Sequence, residues 1–365
     1  MKKFTLLIWV LSIPFLLNAA DYQLMVLGDI HFDAKGYHTS PDGKIVTRYS
    51  ETYVDMWRGK SQDLLRTSAK MVNKNFPFVI QLGDFIQGFA VTPEKLVQML
   101  TDSFREVKKF FPNHKLLSVK GNHDIRRQIT RCIDGKTTNT ALWEHQVYEQ
   151  AFLPLMSGEL GKKSIKSNYA FCYNNDLYVF YDDFAEPQPE TSINFLRKTL
   201  DAHPDARNIF FITHIPLLPC STVKPGWLLP AYREVTKILA QRRNVIILAA
   251  NTHQPSFLQV KAGNNTLTQL VVSSLGYSWN SGSEVKILAN NKTQFYSILD
   301  KRPKQTPNTP YAKKHLDSVK VEKLTIYDRK SMQGFAVLNV RDNGSVDAEI
   351  YNSTSSRPAV VIKLR

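Results

Sequence analysis

Five short stretches of this chain carry side chains able to hold metal ions or move protons. They are Asp29-Ile30-His31, Gly83-Asp84, Gly121-Asn122-His123-Asp124, His214 and Asn251-Thr252-His253. Singly, each has an ordinary explanation. An Asp after a strand commonly caps a turn, and a histidine in Thr213-His214-Ile215-Pro216 is commonly a satisfied loop residue. Jointly they offer imidazoles, carboxylates and amide oxygens, a donor set that suits zinc, iron or manganese better than calcium. Position raises them further, because nearly every stretch begins where an apolar run stops.

Those runs define the elements that must position the donors. Residues 22–27, 78–82, 115–119, 177–181, 208–212 and 245–248 read as short buried strands. Helical patterns lie between them at 61–73, 92–110, 192–200 and 232–240, the second opened by Thr92-Pro93-Glu94 with Pro in its first turn. Alternating strands and helices imply βα units with right-handed crossovers. In such folds the loops at the carboxyl ends of the strands gather on one side and build the site. The last third reads differently. Stretches 266–273, 335–340, 346–351 and 359–364 are strand-like, with a tight turn at Asp342-Asn343-Gly344. They are expected to complete a second sheet. Residues 301–328, Lys- and Pro-rich with little periodicity, are expected to form an exposed excursion.

In this order the five motifs resemble the calcineurin-like metallophosphoesterase superfamily, whose pattern is Asp-x-His, Gly-Asp, Gly-Asn-His-Asp/Glu, His, then Gly-His-x-His. The likeness runs from Asp29 to His253, and Gly121-Asn122-His123-Asp124 is its most specific part. It implies an α/β fold, a four-layer α/β/β/α sandwich of two mixed, mostly parallel sheets flanked by helices, with C-terminal antiparallel strands. It also implies a metal-dependent hydrolase of phosphomonoesters or phosphodiesters using two divalent ions, manganese, iron or zinc. Asp29, His31 and His253 would hold one ion, and Asn122 and His214 the other. Asp84 would bridge, one carboxylate oxygen to each ion. Two cations ~3.5–4 Å apart cancel phosphate charge and lower the pKa of the water between them, giving an attacking hydroxide. His123 would act as general acid, worth ~10²–10⁴-fold, with Asp124 orienting its ring. Phe85-Ile86-Gln87 supplies no tyrosine ligand of the kind expected in the purple acid phosphatase branch.

One departure matters. Ala250-Asn251-Thr252-His253 stands where the family has Gly-His-x-His, so Asn251 offers a neutral amide oxygen in place of an imidazole. Three readings stay open: two ions with the second held less tightly, a single ion, or loss of catalysis. The last would make the chain a non-catalytic, metal-containing binding protein for phosphorylated envelope ligands.

Other residues near the motifs have two explanations each. Asp33 and His38 face the substrate or an exposed loop. Asp183 supports the site or caps a strand, and Arg126 and Arg127 contact phosphate or solvent. Tyr277 and Trp279 line a pocket or pack. Cys132 and Cys220 each follow a motif loop and are the favoured pair for a disulfide, whereas Cys172, in an alternating run, reads as core.

The chain opens with Lys2 and Lys3, an apolar run from Phe4 to Leu17, and Ala19-Ala20. That is the grammar of a cleaved secretory signal over 1–20, too short for a lasting membrane span. The rest, 21–365, reads as one domain, exported to a periplasm or secreted. Net charge is +15, which reads first as a lysine-studded solvated surface and otherwise as an attraction for phosphate-bearing substrates or envelope polymers. The lysines are spread along the chain, which argues against nucleic acid as a partner.

Overall fold

The first apolar run forms β1 (Tyr22–Leu27). Its residues alternate between two cores: Leu24 and Val26 point into one, Met25 and Leu27 into the other. A strand covered on both faces needs apolar residues at every buried position, and that is why Leu24 to Leu27 is unbroken. The computed structural model describes residues 20–39, 51–133, 136–184, 189–223, 228, 231–276, 284–301, 309–352 and 357–365. The expected signal segment up to residue 19, and Tyr277 and Trp279, lie outside these residues.

Parallel strands β2 (Phe78–Gln81) and β3 (Lys115–Ser118) extend the sheet from β1. A two-stranded antiparallel ribbon follows, β4 (Arg126–Ile133) and β5 (Lys136–Trp143). The next eight strands make a second sheet. They are β6 (Tyr169–Tyr173), β7 (Asp176–Phe180), β8 (Ile209–Ile212), β9 (Val245–Ala249), β10 (Ser256–Ala262), β11 (Asn265–Val271), β12 (Ile287–Ala289) and β13 (Lys320–Tyr327). Within it β7, β8, β9 and β11 are parallel neighbours, and the flanking pairs are antiparallel. The sheets are therefore mixed as expected, with parallel pairing central in the second sheet and running out to the β3 edge in the first, and antiparallel pairs outnumber parallel ones rather than the reverse. Finally β14 (Phe335–Val340), β15 (Val346–Tyr351) and β16 (Val360–Lys363) return to the first sheet, β14 antiparallel to β1. The expectation that the closing strands complete the second sheet is corrected here: Leu338 pairs with Leu24, and the chain's end is bonded to its beginning.

Helices cover both outer faces. Helices α1 (Glu51–Met56), α2 (Gln62–Met71), α3 (Pro93–Lys108) and α4 (His145–Leu160) come from the first half of the chain. Leu64, Leu65, Leu96, Leu100, Phe104 and Phe152 pack from this group on Met25, Val79 and Leu116 of the first sheet. Thr92 caps α3 as its sequence implied, its hydroxyl accepting from Lys95 N at 3.2 Å. Helices α5 (Pro189–Ala202), α6 (Tyr232–Leu239), α7 (Lys292–Asp300) and α8 (Thr309–Asp317) belong to the second half. Their Leu196, Val235, Phe295 and Leu316 cover Val179, Phe211 and Ile247 of the second sheet. Between the sheets, Val26, Ile80 and Leu338 meet Phe180, Ile212 and Leu248. The four layers are thus helix, sheet, sheet, helix.

Three further expectations are overturned. Within 301–328 the chain forms α8 and β13, and Leu316, Leu324 and Ile326 are buried. The apolar residues there are too sparse to show a period, yet these three land on the core face. Cys172 is exposed, because β6 is the edge strand and its outer end runs past the core into the Asn174-Asn175 turn. Cys220 is a buried free thiol that accepts from Gln269 Nε2, so the favoured disulfide is not formed. The side chain of Cys132 lies outside the described residues.

Candidate metal centre

All five motifs converge along one edge of the sandwich. Leu27 leads to the Asp29 loop, Gln81 to Asp84, Ser118 to Asn122, Ile212 to His214 and Ala249 to Asn251. Backbone bonds tie these loops across the two sheets. Ile30 N and His31 N donate to Asp84 O at 2.9 and 3.0 Å, and Leu275 N donates to Asp29 O at 2.8 Å. The turns are sharp. His31, Asp84, Asn251 and His253 all have φ between 51° and 61°, a left-handed region that costs non-glycine residues energy and clusters at functional sites. Two glycines make the approach possible. Gly83 has φ 87°, and a Cβ on Gly121 would lie 2.1 Å from Asp84 N.

The donors fall into two groups around Asp84. In the first, His31 Nε2 stands 3.0 Å from His253 Nε2, and Asp29 Oδ2 lies 3.7 Å from the same His253 nitrogen. Ligand atoms of Asp29, His31, Asp84 and His253 all lie within 4.8 Å of one another. In the second, His214 Nε2 lies 3.3 Å from Asn122 Oδ1 and 3.3 Å from Asp84 Oδ2. His214 Nδ1–H donates to Leu82 O at 2.7 Å, which leaves Nε2 as the atom presented to the site. Asp84 Oδ2 is the shared atom, 3.8 Å from His31 Nε2. Its Oδ1 accepts from His123 N at 2.8 Å. Oδ2 is thus the oxygen that lies near both imidazoles, while Oδ1 also holds the backbone of His123.

Burial sets the charges. Asp29 is fully buried, and loss of solvent pushes its carboxyl up to about 7 against the pull of His214. Asp84 is equally buried, but His214, His123 and His31 outweigh that cost and hold it well below the usual carboxylate range. Desolvation works against a charge on His214, yet Asp84 and Asp29 raise it to about 10. Asp29 Oδ2 accepts no hydrogen bond. An anionic oxygen buried in this way is costly unless a cation meets it, so the first group fits a divalent ion.

His123 is partly exposed, like His253, while the other donors are buried. The open side of the site is therefore theirs. Its Nδ1–H donates to Gln87 O at 2.6 Å, leaving Nε2 outward, and burial lowers its pKa. Asp124 does not orient that ring, which corrects the expectation. Its carboxylate accepts from Gly121 N at 2.8 Å, Asp84 N at 3.0 Å and Ile86 N at 3.3 Å. Three amides surround it, so it fixes the two loops that carry Asp84 and Asn122.

The remaining expectations divide. Asn251 is 3% exposed; its N donates to Asp29 Oδ1 at 3.2 Å, and its Nδ2 finds no acceptor. Asp183 braces the loop of His214, accepting from Thr213 Oγ1 and from Ile215 N at 2.5 Å. Burial lifts its carboxyl to about 7. Asp33 and His38 are buried and bonded to each other at 2.5 Å, so neither belongs to an exposed loop. Arg127 is tied to Glu144, Nε to Oε1 at 2.8 Å. Arg126 lies over the Phe89 ring, 4.5 Å from its centre, and that ring stands edge-on to His123 at 5.6 Å. Two groups went unforeseen. The Gln87 carbonyl is a backbone atom that side-chain patterns do not display. The buried Lys120–Asp182 pair joins the loops after β3 and β7, and its signal was a lysine directly before Gly121.

No curated protein matches the chain by sequence. The family model described as calcineurin-like phosphoesterase matches residues 22–255. Among solved structures, a dimetal phosphatase from Danio rerio is 11% identical with TM-score 0.54, covering 94% of this chain and 99% of its own. PhoD is 11% identical with TM-score 0.52, covering 95% of this chain and 69% of its own. The purple acid phosphatase PPD1 from yellow lupin (Lupinus luteus) seeds is 10% identical with TM-score 0.53, covering 94% and 53%. At such identities the likeness is one of fold. Family match and buried donor cluster together make the chain a member of the calcineurin-like phosphoesterases, a hydrolase of phosphoric esters that works with two divalent ions.

Proposed function

We propose that the chain is an exported phosphoesterase, periplasmic or secreted, in which His123 protonates the leaving oxygen of a phosphomonoester or phosphodiester. The observation that carries this reading is Asp84 Oδ2, which lies between the imidazoles of His31 and His214 while Asp84 Oδ1 fixes the backbone of His123. Asp29, His31 and His253 would hold one ion, Asn122 and His214 the other with Asn251 beside it, and Asp84 both. Bound there, two divalent ions would neutralise phosphate charge and activate water. The protein's own groups do the rest. Gln87 O holds the His123 ring so that Nε2 points outward, where a proton can pass to the departing oxygen. Burial opposes that proton and Asp84 supports it. Asp124 keeps the Asp84 and Asn122 loops in register through three amide bonds.

Export rests on the first twenty residues of the sequence. Among the described residues no helix is long and apolar enough to cross a membrane. The non-catalytic alternative rests on Asn251, whereas every other donor converges and His123 is in place.

The test is hydrolysis of p-nitrophenyl phosphate and bis-(p-nitrophenyl) phosphate by protein stripped of metal and reloaded with Mn²⁺, Fe²⁺ or Zn²⁺. Turnover restored by metal and lost in Asp84→Ala and His123→Ala is the expected result. Metal uptake without turnover on either ester would refute the reading.

A further inference from the structure

The His123 ring donates from Nδ1 to Gln87 O at 2.6 Å, which fixes one end of it. A bond to one ring nitrogen still leaves the imidazole able to rock, since the last torsion of a histidine side chain is broad. For a catalytic group that freedom matters, because a displacement of about 1 Å can cost ~10²-fold in rate. Two rings flank the imidazole. His31 stands perpendicular to it with ring centres 4.7 Å apart, and Phe89 does so at 5.6 Å, the edge-to-face arrangement that aromatic rings favour. His31 belongs to the first donor group. Phe89 has no part in the chemistry described so far.

Phe89 is held in that place against its backbone preference. It is 1% exposed and its φ is 62°, a left-handed conformation that is an outlier for so bulky a residue. The turn that requires this φ wraps the loop of His123. Gly88 has φ 71°, and a Cβ on it would meet His123 O at 2.5 Å and Arg126 O at 2.8 Å. Phe89 N then donates to Arg126 O at 2.7 Å. Gln87 and Phe89, two positions apart, thus reach the same imidazole, one with its carbonyl and the other with its ring. The Arg126 guanidinium lies over the Phe89 ring, 4.5 Å from its centre. It also reaches Trp143, its partner across the β4–β5 ribbon, at 5.9 Å. A cation over an aromatic face attracts it, so the ribbon steadies Phe89 through Arg126. An unbroken run of contacts joins the exposed Trp143 through Arg126, Phe89 and His123 to His31.

We propose that Phe89 and Arg126 are positioning residues for the general acid, holding the His123 ring so that Nε2 keeps one direction. This deepens the hydrolase reading and rests on it for the role of His123. As hydroxide adds to phosphorus, the P–O bond to the leaving group breaks with its electron pair on oxygen. That oxygen takes the Nε2 proton of His123. The contribution of both residues is greatest for a departing alkoxide, which needs the proton, and least for a dinitrophenolate, which leaves without one.

The test measures kcat and KM of metal-loaded wild type, Phe89→Leu and Arg126→Ala on hexyl phosphate and dinitrophenyl phosphate. Phe89→Leu removes the ring and keeps the core filled, and Arg126→Ala changes a half-exposed side chain that the core does not need. The ratio of kcat on the hexyl ester to kcat on the dinitrophenyl ester should fall about tenfold in Phe89→Leu and about threefold in Arg126→Ala. Arg126→Lys, which keeps a cation over the ring, should restore the ratio. A ratio that stays at the wild-type value, whether both rates fall together or neither falls, overturns the proposal. So does a rise in KM on both esters in Arg126→Ala, which would put the guanidinium on the substrate phosphate. Heteronuclear NMR of the His123 ring in zinc-loaded protein separates the proposal from the hydrolase reading, because it needs no turnover. One set of ring signals is expected in wild type, and broadened or doubled signals in Phe89→Leu. Ring signals unchanged in both variants refute the proposal even if wild type hydrolyses neither ester.

Discussion

The two halves of the metal centre are made from loops of the same kind and from different donors. The half around Asp29, His31 and His253 has two imidazoles and a carboxylate, with the imidazole nitrogens 3.0 Å apart. The half around His214 has one imidazole and the amide of Asn122, and the proposed second amide is Asn251, where the family pattern has an imidazole. Backbone geometry does not explain the difference, since Asn251 keeps the left-handed turn at φ 61° that the loop needs. Asn tolerates that conformation better than most residues, so the turn survives while an imidazole is given up. The exchange costs affinity, because a neutral amide oxygen is a weaker and harder donor than imidazole. The buried Nδ2 of Asn251 has no acceptor, and half a turn of the amide would put its oxygen in that place. One tight and one loose ion are therefore expected, joined through a single oxygen of Asp84.

The largest effect should come from the shared atom. Asp84→Asn removes the charge common to both halves, so metal content measured by plasma mass spectrometry falls from two ions to near none and turnover disappears. Loss of a single ion would show that the halves do not share Asp84. His123→Ala should lower kcat by ~10²–10⁴-fold and leave both ions bound, because its side chain lies outside both donor groups. Asn251→His restores the imidazole, and the second half should gain roughly 10–100-fold in zinc affinity while the first stays unchanged. Improvement in both halves, or in neither, would break the comparison. The smallest effect is in pH. The Asp29 carboxyl titrates at about 7 and the His214 imidazole at about 10 in the metal-free protein. Metal displaces both protons, so occupancy rises with pH in each half. Equilibrium dialysis should show the His214 half filling over the higher window, and coincident curves would contradict that order.

Much of this centre was legible because metal ligands need particular residue types at strand ends, and a strand buried on both faces announces itself by an unbroken apolar run. Asp29, Asp84, His123, His214 and His253 all stood directly after such runs. What escaped was decided by partners rather than by types. Asp124 serves three amides because the loop folds back around it, and Gln87 contributes a carbonyl that every residue possesses. That Asp84 uses one oxygen depends on where His123 N points. Strand β13 has the pattern Lys320-Val321-Glu322-Lys323-Leu324, too polar to stand out, since Lys320, Glu322 and Lys323 are exposed while Leu324 packs. Where the closing strands go was also invisible, because pairing of β14 with β1 joins residues more than three hundred positions apart.

The most direct test of unequal halves sharing one oxygen is anomalous diffraction at the manganese edge from crystals of the wild-type protein grown with a limiting supply of Mn²⁺. Two peaks are expected on either side of Asp84 Oδ2, the stronger among Asp29, His31 and His253 and the weaker beside Asn122 and His214. Peaks of equal height, or a stronger peak beside His214, would contradict the account.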